Sequence, residues 1–194
     1  MYTITGFNHC ELYVGNAKQA AFYFSQTMGF RIIAYRGLET GSRDRVSYVL
    51  NQGEIFFVVT SSLKADTEIG RHIVIHGDGI KDVAFTVDDA TKAWQYSLEK
   101  GARSAKQPTK IVDELGEAII SSVHTFGDTI HSFIERNNYS GVFLPGYKEH
   151  YSSYDSESLR LNHIDHVVGN QTDGQMEPVC NFYEKVFGWH RFWS

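Results

Sequence analysis

The residues best suited to chemistry lie in a strand-like motif that occurs twice in the chain. Residues 162–170 read NHIDHVVGN and residues 8–16 read NHCELYVGN, so the copies share Asn, His, Val, Gly and Asn without a gap. His166 in the second copy stands where the first copy has Leu12. Because alternate residues of a strand share a face, His166 is expected on a face that is wholly apolar in the first copy.

An imidazole at a core-facing strand position has two interpretations. A buried histidine is commonly satisfied by one backbone carbonyl, whereas a neutral imidazole on a rigid strand can also ligate a metal ion. The sequence pattern leaves both interpretations of His166 open.

Two other histidines have a spacing that deserves comparison with metal motifs. His72 and His76 stand four residues apart on a predicted helix, a spacing that can bind a metal ion. Ile73 follows His72 where the metalloprotease motif has glutamate, so we expect solvated or capping side chains instead.

The remaining titratable side chains favour structural roles. His124 and His131 lie on predicted strands and are interpreted as structural. The adjacent carboxylates Asp88 and Asp89 precede a predicted helix, and we expect them to cap that helix rather than to form an acid–base pair.

Composition and charge limit the classes of function. The share of aromatic residues, 14%, is typical of a globular domain and argues against a disordered chain. A formal net charge of −5 without a run of Lys or Arg argues against nucleic-acid binding. Cys10 and Cys180 suit two free buried thiols in a reducing compartment. Without a signal-peptide pattern or a membrane-length apolar run, the sequence predicts a soluble cytoplasmic protein.

The elements that would position these residues repeat along the chain. Residues of about 4–62 are predicted to form strand, helix and three strands, with Asn16 as the helix N-cap and Gly29 as its stop. Residues of about 79–136 repeat that order, with Gly101 as the helix stop. A short helix is predicted between them. The fold class is therefore α+β, built from βαβββ modules.

The pattern starts a third time at Leu161. A strand over 161–170 and a helix in EPVCNFYEKVFG precede WHRFWS, which is expected to begin another strand. Residues 137–160 are rich in Tyr, Ser and Gly and are interpreted as a connector. An incomplete module exposes a sheet edge, so we expect residues 161–194 to be poorly ordered or held against a partner chain.

Several segments of the chain resemble a known family. The segments VGNAKQAAFYF, AYRGLETGSRD, HGDGIKDVAF, FGDTIHSFIER, IDHVVGNQ and FYEKVFGWHRFWS are similar to the 4-hydroxyphenylpyruvate dioxygenase family, in the family's order. This family belongs to the vicinal oxygen chelate superfamily of βαβββ modules. The resemblance implies that residues 1–150 are its N-terminal domain, with two complete modules. Residues 151–194 would then be a connector and the truncated start of the C-terminal catalytic domain, with part of a third module.

The resemblance also implies a metal site and a reaction. In the family, two histidines and a glutamate of the second domain hold Fe(II), and the histidine of DHVVGN, which is His166 here, is the first ligand. No residue of this chain matches the other two ligands, so no catalytic residue is assigned. The family converts a 2-oxo acid, 4-hydroxyphenylpyruvate, and O₂ to homogentisate and CO₂ in tyrosine and phenylalanine catabolism.

The resemblance carries further expectations about metal and assembly. By position within their modules, Leu12, Asp82 and Glu135 would occupy the places in the first domain that correspond to the three ligands, and we expect no iron there. We expect a homo-oligomer that binds neither nucleic acid nor membrane.

Two alternatives to the dioxygenase stay open. Hydroxymandelate synthase shares the fold, the iron and the substrate, and differs in the carbon that is hydroxylated. A non-catalytic binding or interaction module would use the intact first domain. With one assigned iron ligand, the 194-residue chain alone is expected to be inactive.

Overall fold

Local sequence signals determine the elements of the first module. The computed structural model of the chain describes residues 2–152 and 157–192. Asn16 caps the first helix by accepting a hydrogen bond from the backbone N–H of Gln19, and Gly29 ends it in the left-handed conformation, both as predicted. The module contains β1 (Ile4–Tyr13), α1 (Ala17–Met28), β2 (Arg31–Arg36), β3 (Arg45–Gln52) and β4 (Ile55–Ser62).

The second module repeats this order, which confirms the two predicted βαβββ units. Asp89 caps its helix by accepting a hydrogen bond from the backbone N–H of Lys92, whereas Asp88 accepts one from Thr3 instead. The helix ends at Glu99, and Gly101, the predicted stop, follows the C-cap residue Lys100 with φ 102°. The elements are α2 (Glu68–His76) between the modules, then β5 (Gly79–Val87), α3 (Ala90–Glu99), β6 (Ser104–Asp113), β7 (Gly116–His124) and β8 (Ile130–Glu135).

One mixed sheet joins the two modules. In the described part of the chain its strand order is β6-β7-β8-β5-β1-β4-β3-β2-β9, where β9 is Lys148–Glu149. The two modules meet where β1 and β5 pair antiparallel, with Cys10 opposite Val83 and Glu11 opposite Asp82. Within each module the first and last strands pair parallel. Such pairs need a long crossover connection, which here contains the module's helix.

The two faces of the sheet are packed differently. On one face α1 buries Ala17 and Ala21 against the first module, and α3 buries Ala90 and Ala93 against the second. On the other face residues 142–147 pack against a central cluster that includes Phe143, Leu144, Tyr147, Val49, Val58 and Ile134. This second face is concave and only partly filled, so it retains a cavity. None of the described helices is both long and apolar enough to cross a membrane.

The third copy of the motif differs from its sequence prediction. Residues 161–172 form no strand, and none forms in residues 189–192. The other parts of these predictions, connector residues 153–156 and the last two residues of WHRFWS, lie outside the described residues. A strand needs a neighbouring strand to pair its backbone groups, and no strand of the described sheet pairs with residues 161–170. The predicted helix, α4 (Met176–Phe187), forms and ends at a left-handed Gly188.

The apolar side of α4 is covered by the same chain. Val186 and Phe187 are buried in the cluster that contains Ala90, Ala93 and Phe133. The expectation was that residues 161–194 are poorly ordered or held against a partner chain, whereas here the second module of the same chain offers the apolar surface that covers α4.

Residues 157–162 lie over the end of the first module. The side-chain oxygen of Gln52 accepts hydrogen bonds from the Ser158 hydroxyl and the Leu161 backbone N–H, at 3.0 and 3.1 Å. The carbonyl of Asn162 accepts one from the backbone N–H of Glu54 at 2.6 Å. Gly53 lies beneath this contact with φ 58°, and a Cβ there would stand 2.6 Å from the Asn162 oxygen. The turn therefore needs glycine both for its conformation and for space.

A glycine substitution tests this contact. We expect Gly53→Ala to destabilise the chain by about 2–4 kcal/mol, because it adds a backbone clash to the cost of a positive φ. Gly41→Ala is the matched control, since Gly41 has φ 90° and open space around it, and should cost only about 1–2 kcal/mol. Urea unfolding measures both values. Equal losses for the two variants would show that residues 157–162 are not docked at Gly53.

Candidate functional site

The predicted metal ligand His166 lies on the surface. Its side chain is 71% exposed, so the predicted core-facing position is wrong for the structure as described. Its Nδ1 donates a hydrogen bond to the Asp165 carboxylate at 2.6 Å, and this interaction lowers the pKa of Asp165. With the proton on Nδ1, Nε2 is left as a free lone pair, the form in which imidazole binds metal ions.

The described side chains do not complete a metal site. Within residues 2–152 and 157–192, no group of three or more His, Cys, Asp or Glu side chains is arranged to hold a metal ion. His72 and His76 stack with ring centroids 4.5 Å apart, and His76 pairs with Asp128 at 2.8 Å. His72 is buried rather than solvated, and burial lowers its pKa. His76 is exposed, so the prediction of a solvated side chain is confirmed for His76.

The three positions compared with iron ligands in the first domain do not converge. Leu12 packs with the cluster beneath α1, on the helix-covered side of the sheet. Glu135 accepts a hydrogen bond from the backbone N–H of Ala90 at 3.0 Å and so lies at the start of α3. Only Asp82 lines the concave cavity. Of the three positions, only that of Asp82 therefore faces the cavity.

The concave face of the sheet holds a cavity of about 510 Å³. From β1 it receives His9, Glu11 and Tyr13, the residues that alternate with the apolar helix-facing ones. The alternation along β1 is the sequence signal for the cavity. Only its apolar residues, which face the helix, led to a prediction. His9, Glu11 and the cavity's basic residues were thus missed from the sequence.

Three buried or half-buried polar groups form the central wall of the cavity. His9 Nδ1 donates a hydrogen bond to Asn8 at 2.8 Å, and burial lowers the pKa of His9 to about 3. Glu11 accepts a hydrogen bond from the Thr60 hydroxyl at 2.6 Å. Asp82 accepts hydrogen bonds from the backbone N–H and the hydroxyl of Ser132.

Both carboxyl groups of the central wall have raised pKa values. Burial raises the pKa of Asp82 to about 7, and the charge of Glu11 across the strand pair adds to the rise. Burial also raises the pKa of Glu11, although the Thr60 hydrogen bond and the charges of Arg45 and Arg36 oppose this.

The cavity is also lined by basic residues. Arg36 on β2, Arg45 at the start of β3 and Lys106 on β6 all line it. β2 and β6 lie near opposite ends of the strand order, yet the charges of Arg45 and Arg36 act with burial to lower the pKa of Lys106. The sheet is thus curled so that its two ends bring like charges together across the cavity.

A second cavity of about 540 Å³ lies on the other face of the sheet, between the second module and residues 167–171. His131 lines it and is buried, in line with its structural interpretation. Its Nδ1 donates to the Val83 carbonyl and its Nε2 accepts from the Tyr183 hydroxyl, each at 2.9 Å. Burial lowers the pKa of His131 to about 4, which keeps it in this neutral form. Trp189 stacks on Tyr183 at 5.3 Å. His131 therefore anchors α4.

Both cysteines are free thiols, as predicted. Cys10 is buried beside Val83 and Phe85, and burial raises its pKa to about 11. Cys180 on α4 is half-buried rather than buried.

Comparison with known proteins identifies relatives over nearly the whole chain. Residues 2–157 match the family described as hydroxyphenylpyruvate dioxygenase, HPPD, N-terminal. The chain is 42% identical to 4-hydroxyphenylpyruvate dioxygenase of Aspergillus fumigatus, with 97% of this chain and 52% of the relative covered. It is 45% identical to the enzyme of Danio rerio, with 97% and 49% covered. The chain spans about half the length of the curated relatives it matches.

A solved structure supports the same fold. A mutant of 4-hydroxymandelate synthase from Streptomyces coelicolor superposes with a TM-score of 0.82 at 29% sequence identity. The match covers 95% of this chain and 53% of that protein. The predicted α+β fold of vicinal oxygen chelate modules is confirmed.

The raised pKa of Asp82 predicts a pH-dependent stability. Because the folded-state pKa of about 7 exceeds the ordinary value of 3.8, protonation of Asp82 stabilises the folded state. This contribution is complete below pH 3.8 and is lost as pH rises through 7. Asp82→Asn keeps partners for Ser132 and removes this titration. We therefore expect the variant to gain up to about 3 kcal/mol relative to the unsubstituted chain between pH 5 and pH 8.

Chemical unfolding at several pH values measures this difference. The titrations of Glu11, His9 and His131 are common to both proteins, apart from their coupling to Asp82, and largely cancel in the comparison. A difference that stays constant from pH 5 to pH 8 would contradict the raised pKa.

Removal of one hydroxyl tests the anchoring of α4. Tyr183→Phe leaves Nε2 of buried His131 without its donor, which costs about 1–3 kcal/mol. We expect faster amide hydrogen exchange across α4 while the strands of the first module remain protected. Tyr23→Phe on α1 is the control, because Tyr23 is 57% exposed. Unchanged exchange in α4 for both variants would contradict the anchoring role of His131.

Proposed function

Because the chain belongs to the hydroxyphenylpyruvate dioxygenase family, we propose that it is the N-terminal part of an Fe(II)-dependent enzyme converting 4-hydroxyphenylpyruvate and O₂ to homogentisate and CO₂. The observation that carries this proposal is 42–45% identity to enzymes of that name across 97% of the chain. In this proposal the substrates are a 2-oxo acid and O₂, and the pathway is tyrosine catabolism.

His166 is the proposed contribution of this chain to the iron site. Its Nδ1–H is oriented by Asp165, which leaves Nε2 available, and such carboxylate–histidine pairs commonly orient metal ligands. When bound, Fe(II) would supply the redox chemistry of oxygen activation. A single imidazole does not fit an iron site on its own, because the facial arrangement needs two histidines and a carboxylate. The remaining ligands would come from sequence outside these 194 residues.

The first domain would act as a scaffold in this proposal. Its outer surface packs α4, the helix that follows His166 in the chain, through the Tyr183–His131 hydrogen bond and the burial of Phe187. A buried neutral histidine fixes the orientation of that helix without adding a charge. The second module would thereby position the start of the catalytic domain.

Hydroxymandelate synthase is the second candidate, supported by the structural match with a TM-score of 0.82. The lower identity of that match, 29%, favours the dioxygenase. A non-catalytic module formed by the first domain is the third candidate, and it would show no dependence on iron. A cytoplasmic location and a homo-oligomeric assembly remain predictions from the sequence.

Substitution of two exposed histidines, His166 and His163, tests the proposed function. The test protein is a chimera that joins this chain to the C-terminal half of the Danio rerio relative. We expect iron-dependent O₂ uptake with 4-hydroxyphenylpyruvate and formation of homogentisate. His166→Ala should lower turnover by at least about 100-fold, since even indirect metal partners cost 10–100-fold. His163→Ala is the control, because it removes a neighbouring exposed imidazole with no assigned role.

The same assay separates the candidates. Hydroxymandelate as product would favour the synthase. The 194-residue chain alone should consume no O₂ above background, and turnover by it would contradict the split iron site. Equal activity of the two histidine variants would remove His166 from the proposed ligands.

A further inference from the structure

Lys106 on β6 is a nucleophilic side chain that has no role in the proposed reaction. It lines the concave cavity together with Arg36 and Arg45. Its backbone pairs with that of Ser122 on β7, which lines the same cavity. The residue is exposed, so a small reagent in solution has access to it.

Lys110, four residues further along β6, lies on the other face of the sheet. The pairing of β6 with β7 has register shifts on both sides of Lys106, so Lys110 pairs with Ile119. Ile119 packs in the cluster on the helix-covered face. There the Lys110 ammonium forms an ion pair with Glu117 at 2.7 Å. One strand therefore carries two lysines in different surroundings.

The charges around Lys106 favour its neutral amine. Partial burial lowers its pKa, and the charges of Arg45 and Arg36 lower it further, whereas the charge of Glu11 opposes this. Only the neutral form of a lysine is a nucleophile, and neighbouring cations are a known means of activating one. The ion pair of Lys110 stabilises its ammonium form instead.

The two arginines near Lys106 also have donors to spare. Arg36 packs on the ring of Tyr147 at 5.9 Å and forms no ion pair with another described residue. Arg45 uses its Nε to bind Asp44 at 3.3 Å, which leaves its two terminal nitrogens. Guanidinium groups suit phosphate oxygens, because their planar arrangement of donors matches two oxygens at once. The cations that favour the neutral amine can therefore also attract an anionic reagent.

We propose that Lys106 is a site of N-acylation by small acyl phosphates, with Arg36 and Arg45 binding the phosphate group of the donor. The lone pair of the Lys106 nitrogen forms a bond to the acyl carbon. The bond from that carbon to the bridging oxygen breaks, and inorganic phosphate leaves with the electron pair and takes up the proton that the amine releases. The product is a neutral amide, which removes the repulsion between Lys106 and the two arginines. The modification requires no iron and is independent of the proposed reaction.

Mass spectrometry of the 194-residue chain treated with acetyl phosphate tests the site. The acetylated fraction of each lysine is followed in one sample near neutral pH. We expect Lys106 to react at least roughly tenfold faster than Lys110, since a pKa lower by one unit gives about ten times more neutral amine. Lys92 and Lys148 have pKa values raised by hydrogen bonds to carboxylates and should react no faster than Lys110.

Two arginine substitutions separate the site from a general charge effect. Arg36→Gln should slow the acetylation of Lys106 roughly tenfold, because it removes one phosphate contact and one charge that favours the neutral amine. Arg43→Gln is the matched control. Arg43 donates to the Leu38 carbonyl at 3.1 Å and does not line the cavity, so the rate at Lys106 should be unchanged.

The carboxylate near Lys106 provides a substitution with the opposite effect. Glu11→Gln retains an acceptor for the Thr60 hydroxyl and removes the charge that favours the ammonium form. We expect it to speed the acetylation of Lys106.

The charge of the donor provides the last control. N-hydroxysuccinimidyl acetate transfers the same acetyl group but has no phosphate. The preference for Lys106 over Lys110 should therefore be smaller with this donor, and Arg36→Gln should change it less.

Three results would overturn the proposal. Equal rates at Lys106 and Lys110 with acetyl phosphate would show that Lys106 is not activated. Equal slowing by the two arginine variants would indicate a general charge effect, and an equal preference with the uncharged donor would show that the arginines do not bind the phosphate. Far-ultraviolet circular dichroism establishes that each variant is folded, and the two donors applied to the unsubstituted chain decide the question even if a variant is not.

Discussion

The antiparallel pairing of β1 with β5 is the contact on which the rest of the structure depends. Each module alone has a sheet with an exposed edge, and such edges invite aggregation. Pairing β1 with β5 covers both edges and makes one sheet with a continuous concave face. The cavity and its charged walls follow from that junction. Neither module could provide them alone, since the basic lining combines β2 and β3 of one with β6 of the other.

The junction also places polar residues at buried positions where apolar side chains are usual. Glu11 and Asp82 face each other across the pair, and each receives a hydroxyl hydrogen bond from a parallel neighbour strand, from Thr60 on β4 and Ser132 on β8. The symmetry of the two modules thus extends to the way in which the carboxylates are satisfied. Hydrogen bonds to charged groups do not fully offset their burial, so the pKa values of both remain raised.

The sequence predicts the elements whose signals are local. It does not predict elements that form only by pairing with residues distant in the chain. The helix α1 has the predicted bounds, because its cap at Asn16 and its stop at Gly29 act within a few residues. The strand over 161–170 does not form, because hydrophobic alternation cannot supply the neighbouring strand that pairs its backbone. The short strand β9 was not predicted, since it consists of two residues that pair with β2 across more than a hundred positions. The basic lining of the cavity was missed for the same reason.

The duplicated motif shows that a sequence match alone does not establish which way a strand side chain points. A gapless match equates His166 with Leu12, yet Leu12 faces α1 while His9, Glu11 and Tyr13 face the cavity. Because the two faces alternate, a shift of one residue moves a side chain from one to the other. That cavity-facing set lines the concave face of the first module. The first module already carries an imidazole there, at His9, and its partners are an asparagine and a phenylalanine rather than further ligands. The motif therefore forms the end of β1 and the cap of α1 in the first copy but no strand in the second, where no neighbouring strand pairs with it.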